Sequence, residues 1–409
     1  MKKSVYVTGM SVLTPIGCTL EEFWENCVNG VVGYDLHNDN YIENANQRIY
    51  GKVKEFKNIV SSNDQNSCLD MGRPSILALN AAILAFQDSK LRINEIDKER
   101  AAVIIGNAIS DTPFCEKNFL GLETSNNLFK KGMFSFISNE VGKYFDFRGE
   151  VSVMSTGCAA GIDAIGHAFE LIQSGEIDIA ICGAAEAPIS NITFSSFESI
   201  GALAKGFENR PKEASRPFDI ERNGFVLSEG SAILILESAE HALARNARIY
   251  GEIYAYSSTN NACHMTDLKI NNALEKAIND LFVESGISKN EIDYINAHGS
   301  STCQNDSYET ETFKNVFNEK VYEIPVSSTK SIIGHPLGAA SAIEIVQTFL
   351  SINNSIIPPT VNCKHPSEEC DLKYSENPQN KKIKYAIKTA NGFSGIHSAI
   401  LLGIQSKLH

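Results

Sequence analysis

The chain has 409 residues, of which 43% are hydrophobic and 21% charged, with a formal net charge of −13 at pH 7. That is ordinary globular composition, long enough for two or three domains or one large α/β unit. The acidic balance argues against nucleic acid as a partner, and no apolar run reaches the roughly 18 residues of a membrane span.

The N-terminus runs almost directly into a strand, Ser4-Val-Tyr-Val-Thr-Gly, followed by a Gly/Pro turn. It lacks the apolar region and cleavage site of a signal peptide, so a cytoplasmic location is expected. Residues 20–29 read as a short helix with Thr19 as its N-cap. Residues 30–65 read as polar and irregular. Residues 74–89 read as an amphipathic helix (Ile76, Leu77, Leu79, Ala82, Ile83, Phe86), and residues 101–106 as a buried strand.

Next comes Val151-Ser-Val-Met-Ser-Thr-Gly-Cys158-Ala-Ala-Gly161, which starts as a β-prone run. It ends in a helix with Ile162, Ile165, Phe169 and Ile172 on one apolar face. Cys158 therefore falls at a sharp strand-to-helix turn, beside the helix's first N–H groups. That placement is expected to lower the thiol pKa and to offer donors to an oxyanion. A buried cysteine acting as a small hydrophobe is the other reading. A buried strand over residues 177–183 follows, then a turn-rich loop entering a strand over 216–236, a helix over 239–247 and a strand over 251–256.

The second half repeats the first in outline. Residues 271–285 read as a helix and 294–298 as a strand end. Residues 325–346 again read as strand, glycine turn and small-residue helix. Ser328-Thr329 answers Ser155-Thr156, and Gly338-Ala339-Ala340 answers Ala159-Ala160-Gly161. Residues 386–390 enter Asn391-Gly-Phe393-Ser-Gly395, and an apolar run closes the chain. Strands alternating with helices imply a parallel sheet covered on both faces. The echo implies two stacked copies, residues 1–250 and 251–409, in one compact body.

Four small-residue turns carry unusual polar groups: Cys158; Asn296-Ala-His298-Gly-Ser300-Ser-Thr302 running on to Asp306 and Glu309; Lys330-Ser-Ile-Ile-Gly-His335; and Phe393. In a doubly wound sheet ligands collect where strands end in such turns. A thiolate beside two imidazoles suits acyl transfer, with cysteine holding the acyl group and neutral Nε2–H donors holding an enolate. Lys330 would add positive charge, and Glu309 is expected to fix its position. The ten cysteines form no C-x-x-C pair, so reduced thiols are expected. Cys363-Lys-His365-Pro-Ser-Glu-Glu-Cys370 could hold zinc, but no fourth ligand is evident; no metal is expected.

These motifs resemble the decarboxylating β-ketoacyl–acyl carrier protein synthases with a Cys-His-His site, over nearly the whole chain. The resemblance implies a thiolase-like α/β fold, layered αβαβα, built from two pseudo-repeated halves. Within the family, Ser-Thr-Gly-Cys158-Ala-Ala-Gly, Ala187-Pro-Ile-Ser-Asn-Ile-Thr193, Cys263-His-Met-Thr-Asp-Leu268, Gln304-Asn-Asp306-Ser-Tyr-Glu-Thr310 and Gly392-Phe-Ser-Gly-Ile-His-Ser-Ala399 are most similar to ketosynthase α subunits of type II aromatic polyketide synthases. By that resemblance Cys158 would carry the growing chain, and His298 and His335 would bind the malonyl thioester. Lys330 and Glu309 would tune His298. The N–H groups of Cys158 and Phe393 would form the oxyanion hole, and Phe393 would gate the pocket. Ser300 and Thr302 would contact the pantetheine arm, and Asp306 would be structural. Ser394 stands where glycine is usual in the family, and Asn391 where serine or phenylalanine is usual. No cofactor is implied beyond the phosphopantetheine that arrives on the acyl carrier protein.

The implied partners are the acyl carrier protein and either a homologous chain-length-factor subunit or a second copy of this chain. Lys130, Lys131, Lys205, Arg210 and Lys212 are the candidate docking residues. The alternatives are a fatty-acid elongating synthase and a non-catalytic chain-length-factor subunit, which loses the cysteine that Cys158 supplies. A thiolase would need a second cysteine, and residues 388–399 contain none.

Overall fold

A computed structural model describes residues 2–37, 47–60, 71–123, 128–263, 268 and 271–405. A ten-stranded sheet organises them, and it divides into two sets of five. The first comprises Val5–Leu13, Ala101–Gly106, Val151–Met154, Ile179–Glu186 and Gly230–Ser238. The second comprises Gly251–Asn260, Ile292–Asn296, Val326–Ser327, Tyr385–Gly392 and Ile396–Gly403. Counted outward from the junction, both sets run first, fifth, fourth, second, third. The sets meet where Val5–Val7 pairs antiparallel with residues 251–253.

The sheet is mixed, not parallel as the alternation of strands and helices suggests. In each set the second strand pairs parallel with the third and fourth, where crossovers return the chain. The fifth strand pairs antiparallel with the first and the fourth. In the second half the three-residue turn Phe393–Gly395 joins the fourth and fifth strands as a hairpin, which forces antiparallel pairing.

The layers follow from what each face buries. Helices Ala160–Ser174 and Ala340–Asn354 lie in one core with residues from both sets of strands. The second helix is buried from Ala340 through Ile352, so it has no polar face, as a central layer requires. Helices Arg73–Ser89 and Ser135–Phe145 cover the outer face of the first set, and Ala273–Ser285 and Cys303–Phe317 that of the second. Among the described residues no helix is long and apolar enough to cross a membrane.

Local signals account for many of these elements. Thr19 caps helix Leu20–Val28 by accepting from the Glu22 N–H. Ile162, Ile165, Phe169 and Ile172 are all 1% exposed or less. Each contributes on the order of 1.5–3 kcal/mol of burial. Within residues 30–65 the structure differs from the irregular reading. Tyr34–His37 pairs with Arg48–Gly51, which pairs in turn with Leu227–Ser228. These strands are too short to show an alternating pattern. The quoted segment from Cys263 to Leu268 falls at 264–267 outside the described residues.

The central helices meet at their N-terminal ends. A Cβ on Gly161 would lie 2.8 Å from the Ala342 nitrogen and 2.9 Å from the Gly338 oxygen. Only glycine permits that approach, and it presses the Cys158 turn against the turn after His335.

Candidate active site

Cys158 sits in the turn Gly157–Ala159 that opens helix Ala160–Ser174, and it is 5% exposed. Gly157 takes φ +60°, a left-handed value that lets the strand turn into the helix. The turn is anchored from behind. Thr156 donates to Asp163, which also accepts from Tyr256 at 2.9 Å and Ser398 at 2.5 Å.

Burial pushes the thiol up to about 12, with the Lys330 charge opposing and Glu186 adding to the rise. This corrects the expected lowering: 5% exposure desolvates a thiolate more than the helix end compensates. The thiol rests protonated.

The two histidines come from the second half. His298 follows strand Ile292–Asn296, and His335 follows the short helix Lys330–Ile333. Their rings lie 5.3 Å apart, edge to face at 77°. The His335 backbone is clamped to residues 226–228: its N–H donates to Val226 at 2.7 Å, and its carbonyl accepts from Ser228 at 3.1 Å. The Phe225 ring meets the imidazole edge-on at 4.9 Å. Burial first, then Lys330, holds both histidines well below the usual imidazole range, so both are neutral at pH 7. Lys330 Nζ stands 3.5 Å from His298 Nδ1, a separation that favours a lone pair there. The proton then sits on Nε2.

Lys330 is fully buried, donating to the His298 carbonyl at 2.7 Å and to Glu344 at 2.6 Å. Glu344, not Glu309, is therefore its carboxylate. Glu309 is turned to the backbone: it accepts from the His298 and Gly299 N–H groups at 2.8 and 2.7 Å and from Thr389 at 2.7 Å. It fixes the turn that carries His298 rather than the lysine. Glu344 and its second partner, Lys388 at 2.8 Å, escape a motif reading. The available signal was a charge inside an apolar run, Ala340-Ser-Ala-Ile-Glu344-Ile-Val and Tyr385-Ala-Ile-Lys388-Thr-Ala.

Asp306 accepts from the Phe218 N–H at 2.8 Å and faces Arg222 at 3.7 Å, tying the loop before residue 225 to helix Cys303–Phe317. Ser300 and Thr302 share a 2.8 Å hydroxyl contact, and Thr302 also caps that helix. Phe393 stacks on Phe197 at 5.9 Å, in a turn where Ser394 takes φ +71°. A Cβ built on Gly392 would lie 3.6 Å from the Cys158 nitrogen, so the Phe393 turn crosses directly over the thiol's turn.

One cavity of about 300 Å³ is lined by Cys158, His298, His335, Ser300, Thr302 and Phe393, with Asn391 and Phe225. An apolar cluster of Phe194, Ala202, Leu203, Phe225 and Leu337 surrounds Cys158. Glu309, Lys330 and Asp306 are not part of the lining; they act from behind it. Of the candidate docking residues, Arg210 is held by Glu213 and Glu221, while Lys130 and Lys131 lie over the rings of Phe136 and Phe114. Among the described residues no cluster of three His, Cys, Asp or Glu side chains could hold a metal ion.

A buried thiol sharing one cavity with two neutral imidazoles, in a duplicated five-layered fold, defines a thiolase-like condensing enzyme. Residues 2–242 match the N-terminal domain and residues 250–364 the C-terminal domain of the beta-ketoacyl synthase family, and the chain belongs to that family. It is 35% identical to the tetracenomycin polyketide synthase ketoacyl synthase alpha subunit of Streptomyces glaucescens, over 98% of this chain and 97% of that one. It is 37% identical to the 3-oxoacyl-[acyl-carrier-protein] synthase 2 of Synechocystis, over 96% of both. Among solved structures it resembles a type II PKS ketosynthase in complex with its acyl-carrier protein and bound to the hexaketide. That match has a TM-score of 0.90 and 38% identity, covering 99% of this chain and 100% of that one. The ishigamide ketosynthase/chain length factor matches with a TM-score of 0.90 and 27% identity, covering 99% of this chain and 100% of that one.

Proposed function

We propose that this chain is the catalytic ketosynthase subunit of a type II polyketide system, working in the cytoplasm on carrier-bound substrates. Cys158 exchanges its proton for the acyl chain of a carrier-bound thioester, and the released pantetheine sulfur takes the proton. A malonyl thioester then places its carbonyl oxygen before the Nε2–H groups of His298 and His335. The bond to the carboxylate breaks, CO₂ leaves, and the electron pair becomes an enolate that the two donors hold. The enolate carbon attacks the Cys158 thioester. A carbon–carbon bond forms, the sulfur leaves, and the chain is two carbons longer. The N–H groups of Cys158 and Phe393 would receive the oxyanion. Ser300 and Thr302, on the cavity wall, would meet the pantetheine arm.

The observation that carries this reading is Lys330 Nζ standing 3.5 Å from His298 Nδ1, which aims the His298 donor into the cavity that Cys158 shares. A hydrolase would need neither the second imidazole nor the buried lysine. Intact-mass analysis with malonyl carrier protein tests it. Wild type adds two-carbon increments to the carrier-bound product, and Cys158→Ala adds none; equal products from both would overturn it.

The identity to a 3-oxoacyl-[acyl-carrier-protein] synthase 2 favours a second reading, fatty-acid elongation. A saturated acyl carrier primer separates the two: an elongating synthase extends it by one unit, whereas the polyketide enzyme builds several unreduced units from malonyl carrier protein.

We also infer a homologous partner subunit that lacks the cysteine, with a second copy of this chain as the alternative. Strand Val151–Met154 is at the rim of the sheet and partly exposed along its length. Phe119, Leu120, Leu122 and Phe129 are 60–81% exposed, apolar surface of the kind partners cover. Co-expression with such a homologue followed by native mass spectrometry tests the pairing. A stable homodimer that makes long chains unaided would overturn it.

A further inference from the structure

The turn carrying His298 offers four consecutive backbone polar groups to the interior, and each meets a buried charged side chain. The His298 and Gly299 N–H groups donate to Glu309. The His298 carbonyl accepts from Lys330. The preceding carbonyl, that of Ala297, accepts from Lys388 Nζ at 3.0 Å. Lys388 lies on strand Tyr385–Gly392, fully buried between Ile387 and Thr389. Its other bonds go to the Thr389 carbonyl at 2.5 Å and to Glu344 Oε2 at 2.8 Å. Glu344 gives its other oxygen to Lys330, so one carboxylate serves two ammonium groups.

A second buried ammonium is costly, by several kcal/mol in desolvation. Lys330 alone already neutralises Glu344, and a methionine would fill the space of Lys388 without that cost. Packing therefore does not account for a lysine here.

We propose that Lys388 is a second positioning lysine: it holds the Ala297–His298 backbone and, through its shared claim on Glu344, keeps His298 and His335 in the neutral donor form. The charged and titratable groups around His298 are Lys330, Glu344, Glu309, Lys388, His335 and His397, with Cys158 in the same cavity. Both ammonium groups oppose protonation of both imidazoles. Burial lowers Lys388 itself to about 8, so it still carries its charge through the acid range in which the imidazoles titrate.

The proposal rests on the decarboxylating reading, and the test separates the two. The rate of malonyl carrier protein decarboxylation is followed from pH 5 to 9 for the full-length wild type, Lys388→Met and Lys388→Gln. In both variants the acid limb moves up by about one pH unit, an added loss of about tenfold on that limb. The gap from wild type closes toward neutral pH, where both imidazoles are neutral in either protein, and KM for the carrier is unchanged. Gln restores the bond to Ala297 but not the charge, so its limb moves while its KM stays. A loss by the same factor at every pH overturns the proposal and makes Lys388 merely structural. So does failure of both variants to fold, since Lys330 still balances Glu344. An inactive wild type overturns the function reading instead and removes the ground for the proposal.

Discussion

Lys330 Nζ lies 2.6 Å from Glu344 Oε1, and neither side chain is exposed to solvent. The lysine comes from the start of one helix and the carboxylate from the second turn of another, so the pair forms only when the two are packed together. Replacing Glu344 by Gln leaves two buried ammonium groups without the carboxylate they share. The expected cost is about 3–5 kcal/mol of stability, together with loss of condensation. Urea unfolding and a condensation assay check it. An unchanged unfolding midpoint would mean the pair carries no weight.

On the proposed mechanism, Cys158→Ala removes the acyl carrier of the reaction but no group that touches the malonyl unit. Condensation is expected to disappear while decarboxylation of malonyl carrier protein continues within about tenfold of wild type, a difference of about 1.4 kcal/mol in barrier. Mass analysis of the carrier reads both, because decarboxylation alone leaves an acetyl group on it. Loss of both activities together would place the sulfur in the decarboxylation step.

Activity should hold through mildly acidic pH. His298 and His335 must be neutral to donate from Nε2, and burial with the Lys330 charge holds both well below their ordinary value. The sign is that of a depressed base: protonation begins below pH 6.5, not at it. A pH profile of kcat should show no acid limb with an apparent pKa of 6.5 or higher. One there would mean that solvent reaches the imidazoles.

Gly161→Val is expected to destabilise the protein by about 1–3 kcal/mol, the usual range for overpacking, or more. Its new Cβ would meet backbone of the partner helix at 2.8 Å and of the turn before it at 2.9 Å, where no side chain can rotate away. Because the same contact sets the Cys158 turn against the His335 turn, activity should fall further than stability. Chemical denaturation and the mass assay together show this; activity that merely follows the folded fraction would refute it.

Much of the site was legible because Cys158, His298, Lys330, His335 and Phe393 each stand at a glycine turn after an apolar strand, a local signal. The role of Glu309 was not. It is visible beside His298, but which atoms it meets depends on how helix Cys303–Phe317 packs under the turn. Glu344 and Lys388 were hidden, because a charge within an apolar run looks like noise until its partner is found many residues away. The duplication was readable from the echo of Ser155-Thr156 in Ser328-Thr329. Strand direction was not, because a period of two says nothing about which way a neighbour runs. The short pair Tyr34–His37 and Arg48–Gly51 carried too few residues for any pattern.

Strand Val151–Met154 forms the rim of the sheet, and the thiol follows it by four residues. Any protein that seats itself along that rim grips the same rod that ends in the nucleophile. Such a companion would couple assembly to loading, because bracing the strand braces the sulfur.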